Sequence, residues 1–272
     1  MIEKVPIAFQ TPTQIEYPKH NKTVFEQYFM MTYNDTNTEY TYLPIMWTSF
    51  YISRGFGKQD MSDLQDYMDS LDKSKKYFTI IQYDDGILQD INFDLRVFGA
   101  GGGGKVKVPR GNLGEPIPLI CTPGPVDKTK DRDILCSFVG AIHGRHQIRE
   151  DLYAMGDFHM EELSGYDRFV DVMERSVFSL CPRGYGATSF RICEALQHGS
   201  IPIYVYDDYW FPDWFNPRDI GVCIPKDYIS DIKHLITSIS ATDIEGYRKR
   251  GEEVYTDYFT FWGCAKQIIS LL

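Results

Sequence analysis

Short apolar runs closed by glycine, proline or aspartate alternate along this chain with stretches in which apolar residues recur every three or four positions. The runs at 77–83 (YFTIIQY), 133–142, 177–181, 201–205 and 220–224 are too short and too uniformly apolar for surface helices. They predict strands buried on both faces, as in parallel sheets. Residues 91–98 and 116–122 predict two further strands. Helical spacing marks 60–71, where Met61, Leu64, Met68 and Leu71 share a face and Asp60 or Ser62 can cap. It also marks 166–175, with Phe169, Val170 and Met173 inward, then 229–239, 244–258 and the terminal segment 261–272. Residues 1–20 are broken by Pro6, Pro12 and Pro18 and predict irregular chain; 41–56 is apolar and runs to Arg54 and Gly55. Alternating strands and helices of this kind define an α/β protein.

Residues 111–130 hold four prolines and three glycines, and this shift in composition marks a domain boundary near 127. Two domains are therefore expected, 1–126 and 127–272. The glycine run Gly99-Ala-Gly-Gly-Gly-Gly104 contains a formal G-x-G-x-x-G, but Lys105-Val-Lys-Val-Pro109 follows it where a dinucleotide site needs a helix. A loop is the better reading, with Lys105, Lys107 and Arg110 as solvated cations or cleft-lining residues.

The densest chemistry lies at 176–208 (SVFSLCPRGYGATSFRICEALQHGSIPIYVYDD). A strand ends at Pro182, Arg183-Gly184-Tyr185-Gly186 turns the chain, Thr188 or Ser189 caps a helix, and Gly199 ends it before the next strand. In open α/β sheets ligands bind at this end of the strands. A helix start offers unpaired N–H groups and partial positive charge, two glycines allow close approach, and Arg183 adds a planar cation. That combination suits a phosphate. Thr188, Arg191, Glu194 and His198 fall on one helix face, where Glu194 could accept ribose hydroxyls; the ordinary alternative is a surface Arg191–Glu194 pair.

The ordered string Ser-x-Phe-x-Leu-Cys-Pro-Arg-Gly-Tyr-Gly-x-x-Ser-x-Arg-x-x-Glu-Ala-Leu-x-x-Gly-x-Ile-Pro-Ile, followed by Asp207-Asp208-Tyr209, resembles the exostosin family of glycosyltransferases. Ser200 and Tyr206 depart from its usual Cys and Ser. The chain is similar, more narrowly, to exostosin-like xylosyltransferases of large algal viruses. The resemblance implies a GT-B type fold, with two Rossmann-like domains facing a central cleft, and an inverting transfer from a UDP-sugar to a glycan acceptor. It implies nucleotide-sugar binding by Arg183, Gly184, Tyr185, Thr188, Ser189, Arg191 and Glu194. Asp207 and Asp208 would take donor-sugar hydroxyls, and they are not spaced as a metal-binding D-x-D. His143-Gly144-Arg145 and Arg149 resemble the family's second cationic turn, so Arg145 and Arg149 are candidates for the diphosphate; helix-surface pairing with Glu150 and Asp151 is the alternative. Asp84-Asp85-Gly86 corresponds to the family's His-Asp-x-Gly turn with Tyr83 in place of His, and offers Asp84 or Asp85 as the general base that an acceptor hydroxyl needs. An ordinary polar turn is the alternative there. No metal is obligatory in this scheme, since helix dipoles and cations neutralise the leaving diphosphate, although Mn or Mg could stimulate. The terminal helix of such folds often returns to the first domain.

Composition narrows the partners. A net charge of −10 without a basic stripe disfavours nucleic acid and anionic membranes. None of the six cysteines forms C-x-x-C, so reduced thiols are expected and a zinc or redox site is not. No stretch reaches the ~18 apolar residues of a membrane span, and the N-terminus does not read as a signal peptide, so a soluble cytoplasmic location is expected, the host cytoplasm if viral. Asn21-Lys22-Thr23 and Asn34-Asp35-Thr36 match the short glycosylation pattern. Two rival functions fit the same residues: another UDP-sugar enzyme such as an epimerase, and a non-catalytic glycan-binding protein.

Overall fold

A computed structural model describes residues 1–11, 24–34, 38–100, 113–143, 147–162, 165–209 and 211–272. Arg145, Trp210, the glycines at 101–104, Lys105, Lys107, Arg110 and most of both glycosylation patterns lie outside the described residues. The chain forms two units, Met1–Thr122 together with Phe261–Leu272, and Pro123–Thr260. The division falls inside the proline-rich segment, a few residues before 127, and the last segment belongs with the first unit.

The first unit carries a four-stranded parallel sheet in the order β1 (Tyr40–Tyr42), β2 (Lys76–Ile81), β3 (Asp94–Gly99), β4 (Leu113–Pro116). Successive strands lie side by side, as in half of a doubly wound sheet. β2 is central and buried after its first residue, which is why its sequence is apolar without alternation. On one face, Phe29, Tyr33, Tyr42 and Phe78 form an aromatic cluster with ring centroids 5.0–6.1 Å apart. Phe29 and Tyr33 come from α1 (Phe25–Thr32) and its cap, a helix the sequence pattern does not announce. The apolar segment 41–56 holds the end of β1 and then α2 (Trp47–Ser53). Residues 47–52 of α2 are all buried, so no polar face reveals the helical period. α3 (Ser62–Asp69) follows, with the Asp60 carboxylate accepting from the Ser62 amide. The expected strand at 116–122 is displaced to β4, which ends at Pro116; Pro116 and Pro118 lack the donors a continued ladder needs. α9 (Phe261–Ser270) completes the unit, Phe261 packing on Phe25 and Tyr28. Arg96, paired with Glu115, also donates to the Leu271 carbonyl.

The second unit carries a five-stranded parallel sheet in the order β6 (His159–Glu161), β5 (Ile134–Val139), β7 (Ser176–Pro182), β8 (Ile201–Tyr206), β9 (Val222–Pro225). From β5 the chain passes through α4 (Gln147–Met155) outward to β6. It then returns through α5 (Tyr166–Arg175) to β7 on the other side of β5, and continues through α6 (Phe190–Gln197) to β8. The direction of winding reverses between β5 and β7, and the carboxyl ends of these two strands flank the crevice where such sheets bind ligands. The core runs along β5, β7 and β8, with Phe178, Leu180, Ile203 and Val205 at its centre. A 3-10 turn (Lys226–Asp231), α7 (Ile232–Ser238) and α8 (Ala241–Val254) close the unit, α8 running into a π-helical turn at Tyr255–Phe259. All six cysteines are buried; burial raises the Cys136, Cys181 and Cys223 thiols, the last to about 11, which keeps them protonated. Among the described residues, no helix is long and apolar enough to cross a membrane.

Candidate active site

Three arginines from separate parts of the sequence meet at the reversal between β5 and β7. Arg149, in the first turn of α4, donates to the Ala141 carbonyl at 2.8 Å and to the Arg183 carbonyl at 3.2 Å. It thereby ties the loop after β5 to the loop after β7. Arg183 donates to the Asp207 carboxylate at 2.6 Å and to the Tyr185 carbonyl at 2.8 Å. Arg191, in the first turn of α6, donates to the Val139 carbonyl at 2.5 Å, the last residue of β5. The Arg149 and Arg191 guanidinium groups both lie over the Phe138 ring, at 5.3 and 5.5 Å, and Arg191 also lies 4.3 Å over Phe169. A cation over an aromatic face is stabilised by the ring quadrupole, so these stacks hold two positive charges at the crevice. Gly140 is the opening that permits it: a side-chain carbon there would lie 3.0 Å from Phe138 and 3.2 Å from the Arg191 guanidinium.

The Arg191–Glu194 pair does form, but it is largely buried and Arg191 also packs on two aromatic rings. Its Nη1 lies 3.0 Å from Glu194 Oε2, yet Nε and Nη1 are buried and make no hydrogen bond among the described residues. Ser189 caps α6, its hydroxyl accepting from the Arg191 amide at 3.2 Å. Thr188 is buried, with its carbonyl accepting from the Gly184 amide. A side-chain carbon at Gly184 would meet Arg149 at 3.8 Å, and Tyr185 at the loop tip is 57% exposed. The polar stripe expected along α6 stops at Glu194. His198 is buried at the far end of the helix, 3.2 Å from Glu174, where desolvation outweighs that carboxylate and lowers its pKa. It takes no part in the crevice.

The end of β8 joins the same region. Burial works to raise the Asp207 carboxyl, but the hydrogen bond and charge of Arg183 outweigh it and hold it below the usual range. Beneath it, the buried Tyr204 hydroxyl lies 2.8 Å from the Ala187 carbonyl and 3.3 Å from the Asp208 carbonyl, linking the two loops. The convergence thus brings Arg149, Arg183, Gly184, Thr188, Ser189, Arg191, Glu194, Asp207 and Asp208 to the carboxyl ends of β5, β7 and β8. It can neutralise an anion and offer carboxylates beside it.

In the first unit, Asp84 and Asp85 form a half-buried turn just past β2, closed by the Gly86 amide on the Tyr83 carbonyl at 3.0 Å, with Gly86 at φ +70°. Tyr83 points back into the unit. It is buried against Tyr51, with ring centroids 4.9 Å apart, and its hydroxyl donates to the Phe56 carbonyl at 3.2 Å. The residue standing at the family's histidine position is thus built into the core. Sequence reasoning missed Glu26. Its carboxylate, fully buried on α1, accepts from the Thr48 hydroxyl at 2.6 Å, the Thr48 amide at 3.0 Å and the Gln82 amide at 2.7 Å. In return the Gln82 side chain accepts from the Phe25 amide at 2.5 Å. This latch fixes α1 and the start of α2 to the chain two residues before Asp84. Burial raises the Glu26 pKa to about 7, against the lowering effect of its hydrogen bonds. A glutamate flanked by aromatics gave no local signal of this role; its partners are remote in sequence.

Residues 106–239 match the model of the Exostosin GT47 domain. A probable glycosyltransferase of Arabidopsis thaliana is 32% identical over 146 residues, covering 50% of this chain and 27% of that protein. A probable glucuronosyltransferase of Oryza sativa subsp. japonica is 36% identical over 78 residues, covering 28% of this chain and 18% of the relative. A probable beta-1,4-xylosyltransferase of Arabidopsis thaliana is 33% identical over 73 residues, covering 26% and 18%. The chain therefore spans about a quarter or less of the length of these relatives. Among solved structures, TarM aligns with a TM-score of 0.49 at 11% identity, covering 77% of this chain and 53% of TarM. The pneumococcal O-GlcNAc transferase GtfA, solved with UDP and GlcNAc, aligns at 0.39 and 12% identity, covering 76% and 58%. Just under half of the chain thus matches that domain model, and the fold itself is α/β with a parallel sheet in each unit.

Proposed function

We propose that this protein is an inverting glycosyltransferase of the GT-B type that moves a sugar from a UDP-sugar to a hydroxyl of a glycan. The observation that carries this reading is the meeting of Arg149, Arg183 and Arg191 at the winding reversal of the second unit, within the segment that matches the family. A diphosphate there would lie on Arg183 and Arg149 and near the Ser189-capped start of α6, with Thr188, Gly184 and Tyr185 lining its approach. Arg145, the other candidate for the diphosphate, lies outside the described residues. Arg183 is bonded to Asp207, so a diphosphate would compete for, or share, its donors. Glu194 would accept ribose hydroxyls, Arg191 would brace the crevice, and Asp207 with Asp208 would bind donor-sugar hydroxyls. The first unit would hold the acceptor, and Asp84 or Asp85 would remove its proton as the oxygen attacks the anomeric carbon. Inversion follows from that single displacement: the acceptor C–O bond forms as the bond to UDP breaks, and the leaving charge is met by arginines and helix dipole. A divalent cation would assist without being required.

Xylose is the proposed donor sugar, supported by the sequence resemblance and by the named activity of one plant relative. A melting-temperature screen with UDP, UDP-xylose, other UDP-sugars and GDP-sugars tests it, since a ligand of the native state raises stability by mass action. The reading expects UDP and one UDP-sugar to raise the midpoint. A larger shift with GDP-sugars would overturn the donor assignment, and no shift at millimolar ligand would favour a non-catalytic glycan-binding role.

A further inference from the structure

At the opposite end of the second sheet, beside the start of β8, lies a cavity of 330 Å³. It is lined by four cations, Lys128, Arg132, Arg248 and Lys249, against two carboxylates, Glu245 and Glu252. This surplus is notable in a chain of net charge −10. Glu252 pairs with Lys128 at 2.6 Å, so it is taken up by a residue other than Arg248, which stands one turn earlier on α8. Arg248 Nε is buried and makes no hydrogen bond among the described residues. Arg132 forms the floor. Its guanidinium donates to the Ser176 carbonyl at 2.5 Å and the His198 carbonyl at 2.8 Å, capping the end of α6. Burial lowers the Arg132 pKa to about 10, and the charge of Arg248 acts in the same direction. Arg132 and Arg248 repel each other at this cavity, an effect that Glu174 offsets in part at Arg132, and a bound anion would lower the repulsion.

We propose that this cavity is a second binding site, separate from the reversal crevice, for a small phosphate-type oxyanion carried free or as a phosphomonoester. The chemistry is that of the guanidinium group, whose planar donors match phosphate oxygens, with Lys249 as a second point charge. The volume is about that of ten waters at ~30 Å³ each, enough for a phosphate with a short organic group and small for a nucleotide. The six residues of β8 separate this site from the reversal crevice by roughly 20 Å, at ~3.3 Å per residue. The two sites can therefore fill independently.

The test titrates the full chain with inorganic phosphate and with glycerol 3-phosphate by calorimetry, in an Arg183→Ala background that disables the reversal crevice. One phosphate site is expected to persist there. Adding Arg248→Gln should weaken it at least tenfold, and adding Lys249→Glu instead should weaken it severalfold. Lys249 is exposed, so its reversal tests the site even where Arg248→Gln perturbs folding. Tighter binding of glycerol 3-phosphate identifies a phosphomonoester ligand; equal or weaker binding identifies free phosphate. Absence of phosphate binding in the Arg183→Ala chain, or affinity unchanged by both added substitutions, would overturn the proposal.

Discussion

The two units are built from the same part, a parallel sheet with loops at the carboxyl ends of its strands, yet they differ in what they present there: arginines paired with carboxylates in the second, the Asp84–Asp85 turn in the first. The second unit winds in both directions from the middle of its sheet. The reversal opens a crevice into which Arg149, Arg183 and Arg191 converge. The described strands of the first unit follow one another in order without a reversal, and Asp84 and Asp85 follow the end of β2, two and three residues after the Gln82 amide that binds the buried Glu26. On the proposed function, the reversal is where the diphosphate would bind and the unit without a reversal would supply the base. The comparison teaches that electrostatic roles follow the winding of each sheet and not the overall charge of the chain.

The largest effect is expected from removing the base of the first unit. Asp84→Asn with Asp85→Asn should lower transfer by about 10²–10⁴-fold while UDP affinity stays unchanged. Full activity of that double variant, measured by product formation, would erase the proposed division between the units.

Glu26 sharpens the contrast through stability. Its folded-state pKa, about 7, lies above the ordinary 4.5, so the folded state holds the proton more tightly than the unfolded chain does. Its contribution is complete below pH 4.5 and is lost as pH rises through about 7. Wild type should lose about 3 kcal/mol of stability across that window from this group, taking ~1.4 kcal/mol per pKa unit. Glu26→Gln should flatten the slope in urea melts at several pH values. An identical slope in the variant would show that the latch is not titrating.

A smaller effect is expected at the other unit's opening. Gly140→Ala should push on Phe138 and Arg191 and weaken UDP binding severalfold, at a cost of about 1–3 kcal/mol in stability. Unchanged UDP affinity would mean that the Arg191 stack does not shape the crevice. The smallest effect belongs to Tyr83→Phe, which removes one hydrogen bond to the Phe56 carbonyl. It should cost about 1 kcal/mol and leave turnover within about twofold. A collapse of turnover without a loss of stability would return the tyrosine to the chemistry.

The sequence made the second unit more legible than the first, for physical reasons. β7 and β8 are buried on both faces and read as apolar runs, while Ser189 and Gly199 mark the ends of the intervening helical segment. β6, three half-buried residues at the sheet edge, has no apolar run to announce it. α2 is buried on every side and so loses the period that betrays a helix. Local spacing gave the Arg191–Glu194 pair but not its burial, because it carries no information about Phe138 and Phe169, which arrive from other elements. Glu26 was invisible for the same reason, its partners Thr48 and Gln82 being brought to it only by folding.

The central claim is that the arginine cluster of the second unit grips the diphosphate of a UDP-sugar. Calorimetric titration of UDP into wild type and Arg183→Ala at one fixed ionic strength tests it most directly. The account predicts that wild type binds and that the variant binds about 10–100-fold more weakly, with its ligand-free melting temperature nearly unchanged. Equal affinity in the two proteins, or no binding to wild type, would contradict it.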